Sequence, residues 1–400
     1  MKKIFYLLGL LVATTIAQKA DAQCGNGRYI DSTFAVSMST VTYSTVYNQA
    51  MDIYQPVGDT FSKRPVIILG HGGAFITGNG DRTNDSTIVW LCKRLAGRGY
   101  VTASIDYRTT GVLNMLDSAQ AITEVAKAIS DGKAAIRYFV KDKATTNTYK
   151  IDTNSIFIGG NSAGAVLYMH VGYISNLAEC PSYLQQVFID SVGGFEGNSG
   201  NAGYTTRFKA VIDLAGGLNT SSFVSPDDVP SCNAQGDQDQ VVPYNCAHAL
   251  NGSCPVTLCG LGALEPAYQS NNIYHESIVF PGDGHVPWAS DMTKFNTVDT
   301  MVTNFLYRFI CGPLEVRPMK TASVSIYPNP ATSSVKVESG SSIAEICVFD
   351  ITGRMVACAE GLNAQSYTLN TSNYNKGVYF VKLHFKDAGV SAVVKKIIIE

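Results

Sequence analysis

The sequence predicts an α/β protein, a mostly parallel sheet with helices on both faces, followed by a small all-β sandwich. Three observations carry this expectation. From about residue 40 to 310, short apolar runs alternate with longer stretches of helical periodicity. Such alternation calls for crossover connections that lay helices over a parallel sheet. Beyond "GPLEVRPMKTA" (312–322), which carries two prolines, the pattern changes to period-two alternation broken by Gly, Asn and Ser, as in all-β units. Finally, a chain of 400 residues, 46% of them apolar, suffices for one large core and a second small one.

Taken in order, the N-terminus reads "MKKIFYLLGLLVATTIAQKADAQC". Two lysines precede an apolar stretch over 4–17, and Ala20-Asp21-Ala22 is a small-x-small cleavage pattern. The stretch is shorter than the ~20 residues a bilayer-spanning helix needs. Residues 1–22 therefore read as a signal peptide cut before Gln23, and no transmembrane segment is expected in the mature protein. Residues 23–311 form the expected α/β domain. "RPVIILGHGGAF" is a strand ending in glycines, "STIVWLCKRLAGRG" a helix closed by Gly97 and Gly99, and "YVTASIDYR" the next strand. A helix over about 117–141 places Ile122, Val125, Ala126, Ile129, Ile136, Phe139 and Val140 on one face, the spacing of a buried stripe. Then follow the strand "SIFIGG", a helix after Ser162, the strand "FKAVIDLAGG", a poorly defined segment near 229–236, the strand "ESIVFPG" and a last helix over about 293–309. Residues 178–206, rich in Gly and Asn, read as a flexible insertion, and 244–273 as a cysteine-bearing one with little periodicity. Loops this long in a compact domain are usually functional or disordered. A linker over 312–322 and a β-sandwich over 323–400 complete the plan.

Charge and cysteines narrow the class further. Lys+Arg 30 against Asp+Glu 32 gives a net charge of −2, so there is no basic stripe for nucleic acid. Ten cysteines in an exported chain point to disulfides, with connectivity open. No CxxC repeat or histidine pair suggests zinc.

Gly160-Asn161-Ser162-Ala163-Gly164 fits G-x-S-x-G between a strand and a helix. In that turn the nucleophile is held in a strained conformation, and its flanking positions must lack Cβ atoms. The Ala163 amide, at a helix N-terminus, points where a tetrahedral oxyanion would form. Some 90 residues earlier, His71-Gly72-Gly73-Ala74-Phe75 follows a strand; Gly72 and Gly73 are the candidate second donors, and His71 is expected to anchor the loop. A serine hydroxyl needs a base. The six histidines are His71, His170, His248, His275, His285 and His384. His285, in "IVFPGDGHVPW", stands in a glycine-bounded loop after a strand and before the last helix. "NAQGDQDQVVPY" offers Asp239 as the orienting acid, with Asp237 as the alternative; Asp283 is too close to His285.

These pieces resemble the α/β-hydrolase carboxylesterases, in particular the bacterial branch with an HGG oxyanion loop that includes acetyl- and feruloyl-type esterases. Further parts of the resemblance are Met51-Asp52-Ile53-Tyr54-Gln55-Pro56, Ser104-Ile105-Asp106-Tyr107-Arg108, Asp131-Gly132-Lys133-Ala134-Ala135-Ile136-Arg137-Tyr138 and Ile151-Asp152. It runs over roughly 40–310 and departs from the pattern at Ala74, usually Gly, and at the two insertions. It implies the chain order Ser, acid, His, a catalytic set of Ser162, Asp239 and His285, an oxyanion hole of Gly72, Gly73 and Ala163, and no metal or organic cofactor. The expected function is a serine esterase working through an acyl-enzyme, its substrate a small or polymer-borne ester. A serine peptidase on the same fold, or a silent binding protein, is the alternative. The Gly/Asn-rich insertion is expected to shape the acyl pocket.

The tail resembles the C-terminal sorting domain of the type IX secretion system. Tyr327-Pro328-Asn329-Pro330, Asp350-Ile351-Thr352-Gly353-Arg354, Gly377-Val378-Tyr379 and Lys395-Lys396-Ile397-Ile398 carry that resemblance. It implies type IX machinery as a partner, passage through periplasm and outer membrane, and a secreted or cell-surface location.

Overall fold

The computed structural model describes residues 24–25, 27–312, 320–386 and 390–400. The signal-peptide reading of 1–22, and residues 313–319 of the linker reading, lie outside them. The chain divides into two compact units that part between residues 314 and 315.

The first unit is built on eight strands: β1 (Val36–Ser44), β2 (Gln49–Pro56), β3 (Arg64–Gly70), β4 (Val101–Ile105), β5 (Ile151–Asn161), β6 (Val211–Leu214), β7 (Ser231–Gly236) and β10 (His275–Phe280). They lie in the order β1-β2-β4-β3-β5-β6-β7-β10. β2 is antiparallel to both β1 and β4, and every later pairing is parallel. Between β3 and β10 the chain also forms α1 (Ser86–Gly97), α2 (Val112–Met115), α3 (Ser118–Ala144), α4 (Ala163–Tyr173) and α5 (Ser182–Val192). A small antiparallel hairpin of β8 (Cys246–His248) and β9 (Thr257–Cys259) and the helix α6 (Leu261–Ser270) follow, and α7 (Met292–Cys311) closes the unit. Among the described residues no helix is long and apolar enough to cross a membrane.

Side-chain alternation along the strands feeds two cores. Val66 and Ile68 of β3 and Ile156 and Ile158 of β5 pack with α3 and α4 on one face. Ile67, Leu69, Phe157 and Ile212 pack with α1 and α7 on the other. The direction of winding changes at β3: β4 lies on one side of it and β5 on the other. A crevice opens at the carboxyl ends of strands at such a switch, and both glycine-rich turns lie there.

Three expectations are corrected. The poorly defined segment near 229–236 is β7, a fully buried strand. Its polar Asn233 and Gln235 are tolerated because their amides are paired inside: Asn233 donates to Glu276 O, and Gln235 donates to Val242 O and accepts from Leu261 N–H. The supposed flexible insertion contains α5, and its Gly/Asn-rich part is held on α3. There Lys133 donates to Phe195 O, Arg137 to Glu196 O and Gly200 O, and Ser130 pairs with Ser199. The stretch 244–273 is likewise organised, into β8, β9 and α6.

The second unit is all-β. Strands β12 (Val324–Tyr327), β13 (Ser334–Asp350), β14 (Met355–Ala359), β15 (Ala364–Asn370), β16 (Gly377–Phe385) and β18 (Val393–Ile399) form an antiparallel six-stranded sheet; the short β11 (Lys320–Thr321) and β17 (Val390–Ser391) pair in parallel. β11 thus brings two residues of the expected linker into this unit. The 17-residue β13 serves both arms: its first half pairs with β12 and β15, its second with β14 and β16. Val335, Val337, Ile346, Val348, Val381 and Leu383 anchor a core of its own.

Candidate active site

Four loops at the carboxyl ends of β3, β5, β7 and β10 supply the expected site residues. At the end of β5, Ser162 sits at φ 54°, ψ −118°, a left-handed conformation that costs a non-glycine residue energy. The turn is possible because a Cβ on Gly160 would strike the backbone of Gly164, and one on Gly164 the backbone of Gly70. The Ser162 amide donates to Leu214 O on β6 at 2.8 Å, which fixes the turn against the neighbouring strand.

The Ser162 hydroxyl donates to His285 Nε2 at 2.7 Å, and His285 Nδ1–H donates to Asp239 Oδ2 at 2.7 Å. Asp239 is buried and fully paired. Its Oδ1 accepts from the amides of Val241 (2.9 Å) and Val242 (3.1 Å), and its Oδ2 also accepts from Gln235 Nε2 at 3.2 Å. The structure thus brings together three residues separated by 123 positions of sequence. Asp237 instead accepts from Gly282 N–H, and Asp283 pairs with Lys294 at 2.5 Å. His275 stands at the opposite end of β10 and His248 is exposed on β8.

The glycine-rich loop requires one correction. The Gly72 amide is already committed: it donates to Asp85 Oδ2 at 2.8 Å, so it is not free for a developing oxyanion. The amides of Gly73, Ala74 and Ala163 have no acceptor among the described residues. Gly73 lies at φ 118°, Ala74 at 56° and Phe75 at 60°, a run of positive φ that turns the loop back over the nucleophile. His71 anchors it from below, its Nδ1–H donating to Gly72 O at 2.5 Å and its ring stacked 4.3 Å from Tyr107. Tyr107 in turn donates to His71 O at 2.7 Å. Burial lowers the His71 pKa, which keeps this anchor neutral.

Sequence reasoning missed the residues that join the loops. Asp85 caps α1 by accepting from Ile88 N–H, and its other oxygen takes both Gly72 N–H and Asn161 Nδ2 (3.0 Å). Asn161 Oδ1 accepts from the buried Trp288 Nε1 at 3.3 Å. One chain of hydrogen bonds therefore ties the glycine loop, the nucleophile turn and the segment after His285. Asp85 directly before a helical stretch was a legible N-cap signal; its second role was not.

An apolar cavity of ≈ 90 Å³ reaches Ser162, and Ala74 and Ala163 are part of its lining. Leu184 and Phe188 of α5 line it, whereas no residue of 194–203 does; the helix, not the Gly/Asn-rich stretch, shapes this space. Three disulfides are present: Cys24–Cys311, Cys246–Cys259 and Cys347–Cys358. Cys92, Cys180, Cys232 and Cys254 are free and buried. Among the described residues the one grouping with metal-ligand spacing is Glu345, Cys347 and Cys358, and its two sulfurs are spent on each other.

The strand order and the turn after β5 define the class: an α/β-hydrolase fold. The native structure of a thermophilic esterase, Est2 of Thermogutta terrifontis, superposes with a TM-score of 0.52 at 16% identity, over 70% of this chain and 94% of that one. The paraoxon-phosphorylated form of that esterase gives 0.51 at 16% identity, over 69% and 95%. Residues 51–222 match the BD-FAE family model, and residues 325–400 match the model described as a secretion system C-terminal sorting domain. The chain therefore carries an esterase-like α/β-hydrolase domain followed by a secretion sorting domain. A curated relative, the probable isoprenylcysteine alpha-carbonyl methylesterase ICME of Oryza sativa subsp. japonica, is 30% identical over 187 residues. That alignment spans 47% of this chain and 37% of the relative, so the chain covers little more than a third of its length. The BD-FAE match takes in the glycine loop and Ser162 but ends before Asp239 and His285, whose placement rests on geometry.

Proposed function

We propose that this protein is an exported serine hydrolase of carboxylic esters. The observation that carries the reading is the pair of 2.7 Å hydrogen bonds running from Ser162 through His285 to a buried, fully paired Asp239. Asp239 holds the tautomer in which Nε2 is free to accept. His285 takes the Ser162 proton as Oγ attacks the ester carbonyl, then delivers it to the departing alcohol. Water, deprotonated by His285, cleaves the acyl-enzyme. Amides of Gly73, Ala74 and Ala163 are the donors for the oxyanion, each worth ~3 kcal/mol in sites of this kind. The esterase-like family match and the esterase names of the relatives support the same chemistry.

A fluorophosphonate probe should label the intact protein and not Ser162→Ala. His285→Ala should lower kcat on a p-nitrophenyl ester by roughly 10³-fold or more. Unchanged labelling in Ser162→Ala would overturn the assignment. The sorting domain supports export by the type IX machinery through periplasm and outer membrane to the cell surface or medium.

A further inference from the structure

We infer that the cavity reaching Ser162 is an acyl-chain pocket for an aliphatic acyl group of medium length. The inference rests on the ester-hydrolase reading and adds the substrate class to it. Position indicates which half of the ester enters. The departing alcohol must take its proton from His285 Nε2, so it lies on the histidine side. The cavity is lined instead by Ala74 of the glycine loop and by Ala163 and Val166 of α4, and His285 is not part of its wall. That leaves the acyl half for the cavity.

The chemistry of the wall indicates what kind of acyl group. Apart from Ser162, the polar side chains reaching it are His170 and Asn219, with the thiol of Cys254. His170 is committed through both ring nitrogens, and Asn219 through one amide hydrogen bond. His170 Nδ1–H donates to Val166 O at 2.8 Å, and its Nε2 accepts from Asn219 N–H at 3.2 Å. Asn219 Nδ2 donates to Thr257 O at 3.0 Å. Burial lowers the pKa of His170 and raises that of Cys254, so both stay neutral. A phenol, methoxy or sugar hydroxyl entering here would lose its water with little besides the Asn219 amide and the Cys254 thiol to replace it, whereas methylenes lose nothing.

Volume sets the length. The ≈ 90 Å³ is space open to the centres of water-sized groups, well beyond what a single group needs, so a chain of several methylenes fits. Part of the wall belongs to the two insertions: Leu184 and Phe188 from α5, and Leu250 and Val256 from the segment closed by Cys246–Cys259.

The test is a series of p-nitrophenyl esters from acetate to laurate, with p-nitrophenyl ferulate and a series of alkyl acetates, on the full mature chain. The expected result is a kcat/KM that climbs roughly threefold to fourfold per acyl methylene, the gain of burying one CH₂, and levels between hexanoate and decanoate. The ferulate should fall about tenfold or more below the hexanoate. Leu184→Trp should cut kcat/KM for the decanoate at least about tenfold more than for the acetate, and Leu184→Ala should move the optimum one or two carbons longer. A flat or falling acyl series, a preference for ferulate, or a length dependence confined to the alkyl acetates, in a protein still labelled at Ser162, would overturn the pocket and leave the ester-hydrolase reading standing. No hydrolysis and no labelling would overturn both.

Discussion

At the scale of single residues, Asp85 shows how much of the site is held from outside the reacting set. Its carboxylate accepts from Gly72 on one loop and Asn161 on the other, so it ties the glycine loop to the Ser162 turn. Asp85→Ala should lower kcat by roughly ten- to a hundredfold with KM little changed, because small misplacements of reacting groups cost that much. Asp85→Asn, which keeps an acceptor oxygen, should recover most of the loss. Steady-state kinetics on one short-chain ester separates the two. Ser162, Asp239 and His285 were legible because their motifs are local: each sits in a short glycine- or proline-marked turn. Gly72 was misjudged because the use of its amide depends on Asp85, which only the folded chain brings near. Asp213 makes a different prediction. It is buried on β6 with the Gly216 amide as its hydrogen-bond donor, and burial pushes its pKa from 3.8 up to about 7. The folded state then holds a proton that the unfolded chain releases above pH 3.8. This contribution to stability is present below that pH and is lost as pH rises towards 7. Asp213→Asn should therefore leave the urea midpoint unchanged near pH 4 and raise stability at pH 8, by a few kcal/mol at most.

Elements differ in how openly their sequence declares them. The helix α3 and the strands β3 and β10 follow from their local apolar patterns alone: α3 buries one face, β3 is buried throughout and β10 is half-buried at the end of the sheet. β7 does not, because "SCNAQG" is a strand whose polar side chains find partners on β10, on the acid loop and at the start of α6. Those partners lie 7 to 43 residues away, beyond any local pattern. The Gly/Asn-rich stretch after α5 was misread for the same reason: its order comes from Lys133 and Arg137 on α3, about sixty residues earlier. The hairpin of β8 and β9 is the element most open to test. Its disulfide closes a loop of 13 residues, worth ~3 kcal/mol in the chain-entropy account. The pair Cys246→Ser with Cys259→Ser should lower the thermal midpoint by several degrees. Since Leu250 and Val256 of this segment line the cavity, KM for a hexanoate ester should rise more than KM for the acetate. Equal changes in both would mean that the hairpin contributes stability without shaping the pocket.

On the scale of the whole molecule, the chain is divided so that catalysis and export can be separated. The two cores of the first unit draw only on residues 24–311, and the core of the second only on residues 322–399. The Cys24–Cys311 disulfide joins residues 287 positions apart, the start of the described chain to the last residue of α7. The cut expected before Gln23 would leave Cys24, and with it this cross-link, in the mature protein. Closing so long a loop is worth ~5–6 kcal/mol in the same entropy account, all of it spent within the first unit. A chain ended after residue 312 should therefore keep kcat/KM within about twofold and its thermal midpoint within a few degrees, since no buried apolar surface of that unit's cores is removed. Cys24→Ser should lower the midpoint in the truncated and full-length chains alike. Export should respond in the opposite way. In a cell with type IX machinery, the truncated chain should be processed at its signal peptide and retained in the periplasm, whereas the full chain reaches the surface or the medium. Fractionation and blotting against the hydrolase unit measure this directly. Truncated protein found outside the cell would assign export to the first unit, and loss of activity on truncation would show that the second unit has a part in catalysis.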